Sequence, residues 1–159
     1  MTPYYQSEER RAALLQEARS WLGTPFRENC ALKGPQGGVS CERFQAAVHT
    51  ATGACPPIEL PVLPVEAVRH WHEHHPESLI LAWLQLPEVR SRICRLDEAE
   101  APAIGDLAVL EFARTAHHLG LWCGHEILHV AIPAGVVAHS TRDARLRATI
   151  RCFYRIHEP

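Results

Sequence analysis

The sequence lacks any apolar run long enough to cross a bilayer, and it carries little excess charge of either sign. Lys and Arg number 16 and Asp and Glu number 18 in 159 residues, a formal net charge of −2. Nucleic acids and anionic membranes are usually met by strongly basic surfaces, so neither partner is predicted. The opening MTPYYQSEERR turns polar at once and does not fit a signal peptide. We therefore expect a protein that is cytoplasmic as synthesised.

Paired cysteine motifs are also missing, although the chain has six cysteines and eleven histidines. Without a C-x-x-C pair, a structural zinc site is not expected. The wide, irregular cysteine spacing favours reduced thiols over disulfides. Histidines crowd into RHWHEHHPES at residues 69–78, where His70 and His74 share a helical face. No H-E-x-x-H order is present, so a solvated helix end is the preferred interpretation and no functional metal is predicted there.

Repeats, low-complexity tracts and linkers are absent as well, which predicts a single domain over residues 1–159. The apolar residues of SEERRAALLQEARSWL recur at helical spacing, and Gly23 is a typical helix terminator. Ser40 is a favourable N-cap for a second helix that runs from Cys41 to about Thr52.

The second half of the chain changes from helical to strand-like patterns. Residues 65–95 favour two or three helical pieces broken at Pro76 and Pro87. Four short β-prone segments follow (IGDLAVLEFA, HHLGLWC, HEILHVAI and GVVAHS), and then RATIRCFYRI, which alternates with period two. Helices followed by hairpin-connected strands predict an α+β fold with an antiparallel sheet of about five strands. His125 and His139 are interpreted as ordinary turn and strand residues.

Cys41 stands where a helix would activate it as a nucleophile. Unpaired N–H groups and the positive dipole end at a helix N-terminus favour a thiolate and can also hold an oxyanion. His118 and His129 fall on neighbouring strands joined by a turn near Gly124, which would bring them close together. A cysteine, a base and a group that orients the base would then meet. The residues alone leave the alternative that His118 is an ordinary strand residue and His129 a buried, hydrogen-bonded histidine.

The order of motifs resembles the NlpC-type family of papain-like cysteine peptidases. The segment WLGTPFRENCALKGPQGGVSCERFQAAV is similar to that family's W-x-G-T-P opening and its cysteine-bearing helix. IGDLAVLEF, HHLGLWCGHEILHV and GVVAHS follow in the family's order. The resemblance covers about residues 18–139 and leaves residues 56–102 as a helical insert. It looks closest to the phage-tail and prophage branch.

The resemblance implies that Cys41 is the nucleophile, His118 the base and His129 the residue that orients the imidazole. It implies a papain-like fold, no cofactor, and hydrolysis of amide bonds in peptidoglycan stem peptides, typically between γ-D-glutamyl and a diamino acid. Phage-tail proteins are implied as further partners. Delivery by a phage particle, or release on lysis, would then bring the protein to the wall.

Several positions depart from the family pattern around the nucleophile. Ser40 replaces the usual Asp, and Glu42 replaces a common Ser. Glu42 would raise the thiol pKa, but as the adjacent helix residue we expect it to point elsewhere and act weakly. Glu28 or Asn29 matches the loop position that lines the oxyanion side of the site in many family members. Only the Asn side chain is a suitable hydrogen-bond donor there. His117 is a second candidate base that strand alternation would send to the opposite face.

Two other functions stay open on these departures. One is a catalytically degenerate structural or wall-binding phage-tail component, which an unreactive Cys41 would support. The other is an acyl hydrolase or transferase on a non-wall substrate, which a mainly apolar pocket would favour.

Overall fold

A six-stranded antiparallel sheet with helices packed on it makes up most of the protein. The computed structural model describes residues 1–113 and 116–159, with the backbone alone at 113, 116 and 117. The strand order is β3-β8-β4-β5-β6-β7, and β1 and β2 form a separate small ribbon. The strands are β1 Ala31–Leu32, β2 Gly38–Val39, β3 Ile93–Arg95, β4 Leu107–Ala113, β5 Ala116–Trp122, β6 Glu126–Ala131, β7 Gly135–Ser140 and β8 Ile150–Ile156. The α+β prediction is confirmed.

Within residues 1–113 and 116–159, seven α-helices precede or interrupt the sheet. They are α1 Glu8–Arg19, α2 Cys41–Ala51, α3 Val65–Arg69, α4 Trp71–His74, α5 Leu79–Leu84, α6 Pro87–Arg90 and α7 Ala144–Thr149. The four short helices α3 to α6 fall in the segment predicted to be helical. Pro76 lies between α4 and α5, whereas Pro87 begins α6, because proline is tolerated in the first helical turn. Among the described residues, no helix combines the length and apolar character needed to cross a membrane.

The first two helices form where capping and apolar spacing agree. The Ser7 side chain accepts the Arg10 N–H at the start of α1. Phe44 and Val48, four residues apart on α2, are fully buried. The Phe44 ring meets Trp21 edge-on, with ring centroids 6.0 Å apart. This contact joins the end of the α1 segment to α2 and fixes α2 against the core.

Two details of the sheet differ from the sequence prediction. The expected count of about five strands is one too few. The additional strand is β3, which lies in the segment predicted to be helical and pairs with β8. Three residues are too short to show a period-two pattern. The predicted final strand over residues 147–156 begins later, at Ile150, since Asp143 caps α7 by accepting the Arg145 N–H at 2.8 Å.

Candidate active site

A cleft of about 620 Å³ lies between the N-terminus of α2, strands β5 to β7 and the short helices α3 to α5. Its walls are mainly apolar, with Phe26, Val68, Trp71, Leu79, Ile80, Trp83, Phe112, Val130 and Ile132 among the lining residues. Its polar groups include Cys41, His118, His129, His139, Ser40, Glu28, Glu42, Arg69 and His72. The cleft therefore brings together the predicted nucleophile and both predicted histidines. Part of the 56–102 segment lines the same cleft.

Cys41 is half-buried at the first position of α2. The helical hydrogen-bond ladder begins with Phe44 N–H donating to the Ser40 carbonyl at 2.9 Å, so earlier N–H groups are left for other partners. The backbone N–H groups of Leu119 and Glu42 favour the thiolate form of Cys41. Ser40 has the extended backbone of an N-cap residue, but its side chain caps nothing. Its hydroxyl instead donates to the Glu42 carboxylate, which corrects the predicted capping role.

Glu42 contacts the thiol, so the expectation that it points elsewhere is wrong. The Glu42 side chain is only 6% exposed, and its Oε2 lies 3.6 Å from the Cys41 Sγ. Burial, followed by the Glu42 charge, raises the pKa of the Cys41 thiol well above its usual value. Burial also raises the pKa of Glu42 itself. The resting thiol is therefore neutral, and a base must remove its proton.

Three histidines form a hydrogen-bonded row across β5, β6 and β7. His129 lies opposite Gly120 of β5 on the antiparallel ladder. The His118 Nε2 is 3.1 Å from the His129 Nδ1, and the His129 Nε2 is 2.7 Å from the His139 Nδ1. The interpretation of His139 as an ordinary strand residue missed this contact. Strand alternation could have indicated the contact between His129 and His139. His129 faces Val137 on the ladder, and His139 lies two residues further along β7, on the same face.

Burial keeps His118 and His129 uncharged. Burial, and secondarily the neighbouring His129, lowers the pKa of His118 to about 3. Burial, and secondarily His139, lowers the pKa of His129 to about 4. At neutral pH both rings are neutral, so each has one N–H donor and one acceptor nitrogen. In the described part of the chain, the side-chain hydrogen bond of the Cys41 thiol goes to Glu42 and none goes to His118.

The remaining predicted site residues divide between the cleft and its surroundings. Glu28 lines the cleft, and burial, then the Glu42 charge, raises the pKa of its carboxyl. Asn29 faces the 56–102 segment, where its Nδ2 donates to the Leu63 carbonyl at 2.8 Å. Its side chain is thus committed to holding that segment. The side chain of His117 lies outside the described residues, so its predicted orientation stays a prediction.

The histidine-rich segment contributes to the cleft through His72, which sequence reasoning did not assign to a site. The neighbouring His70 pairs with Glu73 at 2.8 Å on the exposed side of the helix. Within the residues that the structure describes, no three His, Cys, Asp or Glu side chains are grouped to hold a metal ion. Arg69, Trp71 and Ser78 of this segment line the cleft together with His72.

Comparison with solved structures identifies the fold. The protein superposes over its whole length, with a TM-score of 0.61 and 17% identity, on a Staphylococcus aureus subsp. aureus Mu50 protein described as similar to lipoprotein, NLP/P60 family. It spans 45% of that chain. A second match, with a TM-score of 0.52 and 17% identity, is the NlpC/p60 domain of the peptidoglycan hydrolase SagA, covering 93% of this chain and 98% of the domain. No family model and no curated protein matches the sequence. The protein has the α+β, papain-like fold of NlpC/P60 domains.

Proposed function

We propose that the protein is a cysteine peptidase that hydrolyses amide bonds in peptidoglycan peptides. The observation that carries this proposal is the placement of Cys41, at a helix N-terminus, in one cleft with the hydrogen-bonded pair His118 and His129. A thiol, a neutral imidazole and a group that orients the imidazole are the parts that acyl transfer requires. The peptidoglycan hydrolase with a similar fold supports the choice of substrate.

The reaction we propose has two halves. His118 takes the Cys41 proton as the sulfur attacks the amide carbonyl, and N–H groups at the start of α2 stabilise the oxyanion. His118 then returns the proton to the leaving amine, and a thioester forms on Cys41. Water, deprotonated by His118, cleaves the thioester and frees the thiol. We further propose that the bond joins γ-D-glutamyl to a diamino acid.

A muropeptide digest tests the proposal. Purified muropeptides are incubated with the wild-type protein and with Cys41→Ala, and the products are identified by mass spectrometry. Cys30→Ala is a matched control, because it removes a half-buried thiol from the preceding loop that does not line the described cleft. We expect the same new fragments from wild type and Cys30→Ala and none from Cys41→Ala. Intact muropeptides in all three digests would refute the wall-peptidase proposal.

Delivery to the wall by a phage particle, or through lysis, is part of the proposal and rests on the resemblance of the sequence. Co-purification of the protein with intact phage particles, detected by immunoblot, would support the first route. Absence from particles and presence in lysates would favour the second.

The apolar walls of the cleft favour a second candidate, an acyl hydrolase or transferase. Trp71, Leu79, Ile80, Trp83 and Ile132 offer contact area for an acyl chain. Cys41-dependent cleavage of medium-chain acyl esters, together with intact muropeptides, would identify this activity. If Cys41 also fails to react with iodoacetamide at any pH at which the protein is folded, the degenerate structural role replaces both enzymes.

A further inference from the structure

The histidine row does not end at the two residues that the proposed reaction uses, because His139 continues it on β7. We propose that His139 is a positioning residue that fixes the tautomer of His129 and, through it, that of His118. In this arrangement an exposed residue decides whether the base can accept the thiol proton. The inference rests on the proposed role of His118 as the base.

The first step concerns His118. Its Nε2 is engaged with His129 at 3.1 Å, which leaves Nδ1 as the ring nitrogen that can receive the Cys41 proton. Nδ1 must then hold a lone pair. A neutral imidazole has one protonated nitrogen, so the proton of His118 must lie on Nε2 and be donated to the Nδ1 of His129.

The tautomer of His118 in turn determines the tautomer of His129 and the role of its partner His139 on β7. With its Nδ1 accepting from His118, neutral His129 must carry its proton on Nε2. That nitrogen lies 2.7 Å from the His139 Nδ1, which must therefore accept. His129 is only 2% exposed, so its Nε2–H depends on His139 as a partner.

Protonation of His139 reverses every donor in the row. A protonated His139 has N–H groups on both nitrogens and can only donate to His129. His129 must then accept at Nε2 and donate from Nδ1, and His118 must accept at Nε2 and carry its proton on Nδ1. In that tautomer the Nδ1 of His118, the nitrogen that would receive the thiol proton, has no lone pair. His118 then cannot act as the base.

His139 is suited to this task because it is exposed to solvent whereas His129 is buried. Other titratable and charged groups share the cleft from the elements around it: Glu28 from the loop before β1, Cys41 and Glu42 from α2, Arg69 from α3, His72 from α4, His118 from β5 and His129 from β6. Among the described contacts, His139 is hydrogen-bonded to His129, and His129 is hydrogen-bonded to His118.

Alkylation of Cys41 by iodoacetamide tests the inference without any wall substrate. The rate is followed by mass spectrometry of the peptide that contains Cys41, with the full chain, in wild type, His118→Gln, His139→Leu and His139→Asn. The Leu side chain fills the space but cannot accept a hydrogen bond. The Asn carbonyl can accept one from the His129 N–H. Since His139 is exposed, we expect both variants to fold, and thermal melting tests this.

We expect His118→Gln and His139→Leu to slow alkylation at neutral pH by roughly tenfold or more, within the range of general-base effects. His139→Asn should restore the rate toward that of wild type. Imidazole ¹⁵N NMR of the wild-type protein should show His129 protonated on Nε2 at neutral pH.

Two results would overturn the inference, and they differ from failure of the proposed function. If His118→Gln slows alkylation but His139→Leu does not, His118 is the base and His139 has no positioning role. NMR that shows His129 protonated on Nδ1 at neutral pH would have the same meaning. If His118→Gln alkylates at the wild-type rate, the proposed base itself is wrong.

Discussion

Cys41 and His118 rest as a neutral thiol and a neutral imidazole. Burial and the Glu42 charge raise the pKa of the Cys41 thiol, and burial lowers that of His118 to about 3. Because the thiol pKa lies above its usual value, the thiolate fraction grows as the pH rises toward it. We therefore predict that in His118→Gln, where no base assists, Cys41 alkylation by iodoacetamide keeps accelerating between about pH 6 and 9. A rate of this variant that is constant across mildly acidic and neutral pH would show that the thiolate is already formed and contradict this prediction.

Glu42 contacts the Cys41 thiol, and after burial its charge is the next cause that raises the pKa of that thiol. Replacing its carboxylate by an amide in Glu42→Gln removes the like charge 3.6 Å from the sulfur and keeps the side-chain shape. We predict a lower thiol pKa and an alkylation rate at pH 8 that is higher by roughly tenfold. Glu28→Gln is the matched control, because Glu28 lines the same cleft without a hydrogen bond to the thiol among the described contacts. Equal rates in Glu42→Gln and wild type would show that the carboxylate does not govern the thiol.

At the scale of strands, Gly120 allows β5 and β6 to bring the histidines together. A Cβ added at Gly120 would lie 2.4 Å from the Ile127 Cγ2 and 3.6 Å from the His129 Cβ. Ile127 is fully buried and cannot move aside easily. We predict that Gly120→Ala lowers the free energy of unfolding by about 1–3 kcal/mol, as overpacking does. Urea denaturation measures this change.

The control for that substitution is Ala138→Ser on the exposed part of β7, which we expect to change stability by less than about 0.5 kcal/mol. Gly120→Ala should also slow the alkylation of Cys41, because the shift of Ile127 separates His118 from His129. Unchanged stability in Gly120→Ala would show that the sheet adapts to the methyl group, contrary to the packing described.

Elements with a long pattern or a clear cap could be predicted from the sequence, and short or nonlocal features could not. The α1 and α2 helices and the strands β4 to β7 follow from apolar spacing, Ser7 and the glycine-marked turns. β3 was missed because three residues carry no period, and α7 because its residues also fit the alternation of β8. The contacts of Glu42 and His139 depend on side-chain directions and strand register, which sequence spacing alone does not determine.

For the molecule as a whole, the segment from α3 to α5 lines the cleft and supplies much of its apolar wall. Ile132, 72% exposed, lies at the rim of this cleft, where a bound substrate would cover it. We predict that Ile132→Asp raises KM about fivefold, equivalent to losing about 1 kcal/mol of apolar contact, with little change in kcat or melting temperature. Val62→Asp is the control, since Val62 is 75% exposed and is not among the described cleft-lining residues. An unchanged KM in Ile132→Asp would exclude this rim from the substrate path.

The central claim is that Cys41 forms a thioester with the acyl half of a cleaved peptide. The most direct measurement adds hydroxylamine to the muropeptide digest, because hydroxylamine attacks a thioester to give a hydroxamate and the free thiol. The account predicts a peptide hydroxamate from the wild-type protein, formed at the expense of the free acid, and none from Cys41→Ala. Cleavage without hydroxamate, or cleavage by Cys41→Ala at the wild-type rate, would contradict the account.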